Sequence, residues 1–212
     1  MIIQYLGHAC FKLTANSGKT VITDPYTQVG YELSNNLTAD IVTVSHGHFD
    51  HNATALVKAK TVINGVGRYE DNEISVFGIP TFHDDKKGAL RGENIVYKIQ
   101  MDGLTVCHFG DLGEPCNTRL IEEIGEVDVL LIPIGGRYTI NATEAKKYVD
   151  LLNPSVVVPM HYKTPDGTID IADEKEFLSF FESVQYAGEK SVTITKELLA
   201  EQKIIFMERK RQ

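Results

Sequence analysis

VSHGHFDHNA, Val44 to Ala53, sets three histidines and an aspartate within six consecutive positions: His46, His48, Asp50 and His51. The whole chain of 212 residues holds only seven histidines. A neutral imidazole presents one nitrogen lone pair, and His46 and His48 in a tight loop can converge on one cation when the end of a strand brings them side by side. Asp50 and His51 then point elsewhere and can serve a second cation close by. The run DIVTVS, which ends at Ser45, supplies the strand.

Working outward, the same arrangement recurs. TVIT runs into Asp24, TVCHFG into Asp111 and SVVVPM into His161, while His83 in TFHDD also closes an apolar run. Each run reads as a buried strand that delivers a side chain at its carboxyl end, where ligands of α/β folds collect. His108 competes with His83 as a ligand. It sits within a strand three residues before Asp111, which predicts the opposite face and a supporting or core role. Between the strands lie helix signals: NTRLIEEIG with Asn117 as cap and Gly125 as stop, NATEAKKYVDLLNP with Asn141 and Glu144 as a capping box, and DEKEFLSFFESV opened by Asp173 with Glu176. TVINGV and ISVFGI read as a hairpin pair. The pattern predicts an α/β chain with a mixed sheet or two packed sheets.

Composition narrows the function classes. A chain of this length with 42% hydrophobic residues predicts a single domain over 1–212. The formal charge of −8 argues against a broad nucleic-acid footprint, and only the tail ERKRQ is basic. The opening MIIQYLGHACFKL lacks the pattern of a signal peptide, and no stretch has the length of a membrane span. A cytoplasmic location is therefore expected, with Cys10, Cys107 and Cys116 as unpaired thiols. The expected partner is a small-molecule substrate, with no nucleic acid and no membrane; a homo-oligomer stays open.

H-x-H-x-D-H, a later histidine, a Gly-Asp turn and a final histidine in MHY together resemble the metallo-β-lactamase superfamily of binuclear metal hydrolases. Within it the chain is most similar to the small bacterial metal-dependent hydrolases related to ascorbate-6-phosphate lactonase. The likeness runs through YLGHACFKL, VITDPY, IPIGGRYTINATEA and VVPMHYKT. It implies a four-layer αβ/βα sandwich of two facing mixed sheets flanked by helices, with the metal site at one edge. It also implies two divalent metal ions, zinc first, with manganese and iron also compatible. His46, His48 and His83 would bind one; Asp50, His51 and His161 would bind the other; Asp111 would bridge them. Leu112 stands where relatives often carry threonine, which leaves this ligand set intact.

Such a site predicts hydrolysis of an ester, lactone or phosphoester bond. Water shared by two cations loses a proton near neutral pH, Asp50 orients it and takes up the proton, and the resulting hydroxide attacks. Five further residues are candidates for supporting the ligands or meeting the substrate: His8, Asp24, His108, Arg91 and Tyr138. Asp24 would orient a metal-bound imidazole through its free N–H, and Lys86, Lys87 and Arg91 offer positive charge to an anionic group. The alternatives are a nuclease or cyclic-nucleotide phosphodiesterase of the same superfamily, and a metal-binding module without catalysis.

Overall fold

Residues 1–189 and 191–209 are described by a computed structural model; Lys190 and the last three residues of the basic tail lie outside the described residues. Strands β1 (Ile2–Gly7), β2 (Cys10–Thr14), β3 (Thr20–Thr23), β4 (Leu37–Thr43) and β5 (Val57–Ile63) lie side by side in chain order. Successive side chains of a strand point to opposite faces, and here both faces are apolar. Phe11, Leu13, Val21 and Ile41 enter the main core, while Cys10, Ile22 and Val42 enter a second cluster on the other side. That outer face is closed by Tyr26, Val29 and Leu33, carried on the segment between β3 and β4. An irregular segment thus occupies the outer layer where the resemblance implied helices.

The second sheet contains β6 (Gly67–Glu70), β7 (Ser75–Phe82), β8 (Glu93–Met101), β9 (Leu104–His108), β10 (Val129–Pro133), β11 (Val156–Met160) and β12 (Gln185–Gly188). The two-residue β13 (Val192–Thr193) returns to the edge of the first sheet beside β1, and β14 (Lys203–Met207) inserts between β11 and β12. All five residues of β10 and of β11 are buried, as expected of parallel strands covered on both sides. Their cover is α1 (Thr118–Ile124) and α2 (Ala142–Leu152), which contribute Leu120, Ile124, Tyr148 and Val149 to the main core. The α/β sandwich of two mixed sheets expected from the sequence is the observed architecture, with helices on the second sheet.

Helix caps follow the sequence closely. The Asn117 side chain accepts from Leu120 N and Gly125 ends α1; Asn141 accepts from Glu144 N at the start of α2. The return arm of the second capping box is not made, because Glu144 accepts instead from Cys116 N and so ties the segment before α1 to α2. The third helix, α3 (Lys175–Leu178), has only four residues and no side-chain cap; Asp173 turns the chain by accepting from Lys175 N.

One pairing differs from expectation. TVINGV and ISVFGI do not form a hairpin: residues 61–63 close β5 in the first sheet, and 75–79 open β7 in the second. Ile63 and Ile79 both lie in the main core. Strands that face each other across a core carry the same alternation as strands that pair, so the pattern could not separate the two.

The topology collects one kind of strand end at one edge. A single reversed strand, β2, separates β1 from β3, and β8 likewise separates β7 from β9, while β3–β4, β9–β10 and β10–β11 are parallel. The carboxyl ends of β1, β3, β4, β7, β9 and β11 therefore lead directly into His8, Asp24, His46, His83, Asp111 and His161.

Candidate metal centre

Asp111 is the hub of this edge. It is 2% exposed. Its Oδ2 lies 3.2 Å from His83 Nε2, 3.3 Å from His161 Nε2 and 3.9 Å from His46 Nε2, and its Oδ1 lies 3.1 Å from His51 Nε2. Three groups have ligand atoms mutually within 4.8 Å and could each hold a cation: His46, His48 and His83; His8, Asp50, His51 and His161; and His46, His51 and Asp111. All seven expected ligand residues are in these groups, and His8 joins them.

The turn that presents Asp111 depends on close backbone approach. Gly110 has φ 54°, and a Cβ there would stand 2.5 Å from both Asn94 Oδ1 and Ser45 Cβ. Asn94, 1% exposed, accepts from Asp111 N through Oδ1 and donates through Nδ2 to Thr81 Oγ1 and the Phe109 carbonyl. Gly113 allows the same chain to pass over His83, since a Cβ there would come within 2.4 Å of the His83 carbonyl carbon and Asp84 N. Neither Asn94 nor Ser45 was singled out in the sequence. Their signal is only adjacency to a strand end.

Asp24 orients two of the imidazoles from behind. Fully buried, it accepts from Ser45 N at 2.8 Å, from Ser45 Oγ at 2.5 Å and from His51 Nδ1 at 2.8 Å. The Ser45 hydroxyl proton is committed to Asp24, so Ser45 Oγ accepts from His46 Nδ1, 3.0 Å away. His83 Nδ1 donates to the Tyr138 carbonyl at 3.0 Å. In all three histidines Nδ1 donates away from the centre and Nε2 faces it, the orientation in which a bound metal would take the Nε2 lone pair.

His8 donates from Nε2 to Asp50 Oδ2 at 3.2 Å, and its ring centroid lies 4.2 Å from that of His161. The His8 carbonyl accepts from His161 N, joining the ends of the two sheets. His8, Asp24 and His161 have φ of 55°, 37° and 51°, a region that non-glycine residues seldom adopt. His108 stands apart. It is fully buried, its Nε2 donates to the Ala9 carbonyl at 2.8 Å and its Nδ1 accepts from Gly110 N; both ring nitrogens are spent on backbone.

The electrostatics suit cation binding. Burial, then the neighbouring His51, pushes His46 down to about 3, and burial, then His161, takes His8 down to about 4 despite its bond to Asp50. His48 is also lowered, by burial and by His83. Burial opposes a charged His51, but Asp111 and Asp24 outweigh it and raise its pKa well above the ordinary value. Burial likewise opposes ionised Asp111, yet His161 and His51 hold it well below the carboxylate range. An acceptor carboxylate ringed by imidazoles remains ionised at neutral pH. His46 Nε2, His51 Nε2, His161 Nδ1 and Asp111 Oδ1 are buried without hydrogen-bond partners. Such groups cost about 1–3 kcal/mol each, and imidazole lone pairs beside an ionised carboxylate are satisfied by a divalent cation. The residues therefore fit a metal ion.

A pocket of about 500 Å³ opens onto this cluster, lined by His48, Asp50, His83, Asp111 and His161 together with Phe49, Arg91, Tyr138 and residues 168–170. Of the basic residues in the loop after His83, only Arg91 lines it; Lys86 pairs with Asp85, and Arg137, from the Tyr138 loop, pairs with Asp170. Leu112 is buried in the main core. The contribution of residues 168–170 had no sequence signal.

A family profile described as the β-lactamase superfamily domain matches residues 2–161. The chain belongs to the metallo-β-lactamase superfamily. Within that superfamily it is similar to the UPF0173 metal-dependent hydrolase of Methanoregula boonei, at 35% identity over 188 residues covering 77% of this chain and 83% of the relative. The corresponding protein of Staphylothermus marinus is 34% identical over 214 residues, covering 86% and 91%. A crystal structure from Thermotoga maritima, assigned as a Zn-dependent hydrolase of the metallo-β-lactamase superfamily, superposes with TM-score 0.82 at 40% identity and covers 99% of each chain. This member of the superfamily is thus a metal-dependent hydrolase by family, and the cluster around Asp111 is its candidate metal centre. Among the described residues no helix is long and apolar enough to cross a membrane.

Proposed function

We propose that the protein is a binuclear metal-dependent hydrolase that cleaves an ester, lactone or phosphoester bond of a small molecule. The observation that carries this reading is Asp111, an ionised, buried carboxylate with four imidazole Nε2 atoms between 3.1 and 3.9 Å of its oxygens. One carboxylate with nitrogen donors on both sides is the donor set of a paired site. His46, His48 and His83 would hold one ion, with Asp50, His51 and His161 holding the other and Asp111 shared. Zinc is the first choice; manganese and iron suit the same donors. Bound there, divalent ions supply Lewis acidity and lower the pKa of a coordinated water from about 15.7 toward about 7.

The chain's own residues do the rest. Asp50 faces the pocket. Burial disfavours its charge, but the N–H of His8 and the neighbouring His51 outweigh that and keep the carboxyl ionised. Asp50 can therefore accept the proton of an attacking water, with His8 holding the carboxylate in place. Asp24 keeps His46 and His51 in the ligating tautomer throughout, through Ser45 in the first case and directly in the second. The volume of the pocket suits a small molecule better than a polymer.

The test is a panel of one lactone, one carboxylic ester and bis(4-nitrophenyl) phosphate, offered to metal-loaded protein and to Asp50→Asn. Turnover of at least one compound, abolished by EDTA, restored by zinc or manganese and lowered by roughly 100-fold or more in Asp50→Asn is expected. Fully metal-loaded protein that cleaves none of the three would point to the non-catalytic alternative.

A further inference from the structure

We propose that Arg91 is the specificity residue of this pocket and binds an anionic group of the substrate, a carboxylate or a phosphate, away from the bond that is cleaved. As a statement about substrates it rests on the hydrolase reading; as a statement about binding it stands alone.

The loop that carries Arg91 starts at His83 and is built around one side chain. Asp84, 2% exposed, accepts from Lys86 N and Gly88 N through Oδ1 and from Leu90 N and Arg91 N through Oδ2, all at 2.8–2.9 Å. His83 N donates to the Gly92 carbonyl at 3.0 Å and closes the base of the loop. A single carboxylate satisfied by four backbone amides leaves the loop little freedom. The backbone of Arg91 is accordingly fixed relative to His83, one of the candidate ligands.

The side chain is placed with equal care. Its guanidinium carbon lies 5.4 Å from the centroid of the Tyr138 ring, and the Tyr138 carbonyl receives His83 Nδ1. Stacking on an aromatic face suits a guanidinium, which is planar and weakly hydrated, and leaves the edge of its N–H fork available for two parallel bonds to a carboxylate or phosphate.

Charge accounting singles Arg91 out. Among the described residues it is the only lysine or arginine that lines the pocket. Arg137, whose guanidinium carbon also lies over Tyr138 at 5.7 Å, is neutralised by Asp170. Lys163, which does not line this pocket, donates to the Gly167 and Ile169 carbonyls. Among the described residues no carboxylate comes within 4.0 Å of Arg91. The pocket's other carboxylates are engaged: Asp50 and Asp111 with imidazoles and Asp170 with Arg137. A solvated surface cation would look like Lys86, which is exposed and lies outside the pocket. Arg91 is half-buried, lies over Tyr138 and faces no carboxylate among the described residues, so an anionic ligand would supply the counter-charge that the pocket does not.

The experiment measures binding, so that it can be read whether or not turnover is found. Metal-loaded wild-type protein, Arg91→Gln, Arg91→Lys and the control Arg137→Gln, each with its metal content measured, are titrated calorimetrically with butyrate, glutarate, adipate and 3-phosphonopropionate. Butyrate carries one charged group and can engage one positive site at a time; the dianions can reach the metal centre and a second positive charge together. At least one dianion should bind wild-type protein about tenfold tighter than butyrate. That advantage should fall below about twofold in Arg91→Gln, be intermediate in Arg91→Lys and persist in Arg137→Gln, with butyrate affinity and metal content unchanged. No dianion preference in wild-type protein, a preference that survives Arg91→Gln, or one lost only in Arg137→Gln would overturn the assignment. Hydrolysis without any such preference would remove the anion subsite and leave the hydrolase reading standing.

Discussion

Asp111→Asn is expected to lose bound metal and hydrolytic turnover together, each by more than about 100-fold, because changes to groups that merely support metal ligands already cost about 10–100-fold. Both Asp111 oxygens are used: Oδ2 faces His46, His83 and His161, and Oδ1 faces His51. Asparagine keeps one acceptor and turns an N–H₂ group on the other side toward imidazole nitrogens that require an acceptor or a cation. It also removes the negative charge that balances the site. The backbone cannot compensate, since Gly110 is wedged against Asn94 and Ser45 and the Asp111 amide is held by Asn94. Elemental analysis and turnover on the same preparations check the result. Full metal occupancy with unchanged rate would remove Asp111 from the site.

Asp24→Asn acts from behind the ligands and is expected to lower metal affinity by about 10–100-fold. Asp24 receives three donors, the Ser45 amide, the Ser45 hydroxyl and His51 Nδ1, and it has no exposure to water. An asparagine would set an N–H against at least one of them. His51 would then lose the partner that fixes its tautomer, and His46 would lose the chain through Ser45. Breaking a buried charged pair also costs about 3–5 kcal/mol of stability, so thermal unfolding should shift downward as well. Metal titration of the folded variant checks the first expectation. Wild-type affinity in a destabilised Asp24→Asn protein would show that Asp24 serves the fold alone.

Much of the site was legible because its residues follow a rule that sequence displays well: a short apolar run, then a side chain with chemistry. His46, His83, Asp111 and His161 all obey it, and so does Asp24. The position of His108 within β9 set it apart from His83 in the sequence; in the fold His83 Nε2 faces Asp111, while His108 is bound to backbone on both sides. His8 obeys the same rule at the end of β1 and stands beside Asp50 and His161, in one candidate ligand group with them and His51.

What escaped the sequence was contact between distant segments. Asn94 sits in an apolar strand and reads as an ordinary polar interruption; only the fold reveals that it grips the Asp111 turn. Residues 168–170 reach the pocket from a loop well beyond His161. Asp84 hides beside a more conspicuous histidine, and its four amide bonds emerge only when the loop is closed. The misread pairing of TVINGV with ISVFGI has the same origin: alternation records which faces are buried and carries no information about which strand lies alongside.

Whether Asp111 is shared by two metal ions is decided by the metal content of freshly purified protein that has never met a chelator, determined by elemental analysis against protein concentration. A shared Asp111 requires close to two equivalents of zinc, manganese or iron per chain, falling together in Asp111→Asn. A protein that saturates at one equivalent, or remains without metal after reconstitution with all three ions, would contradict it.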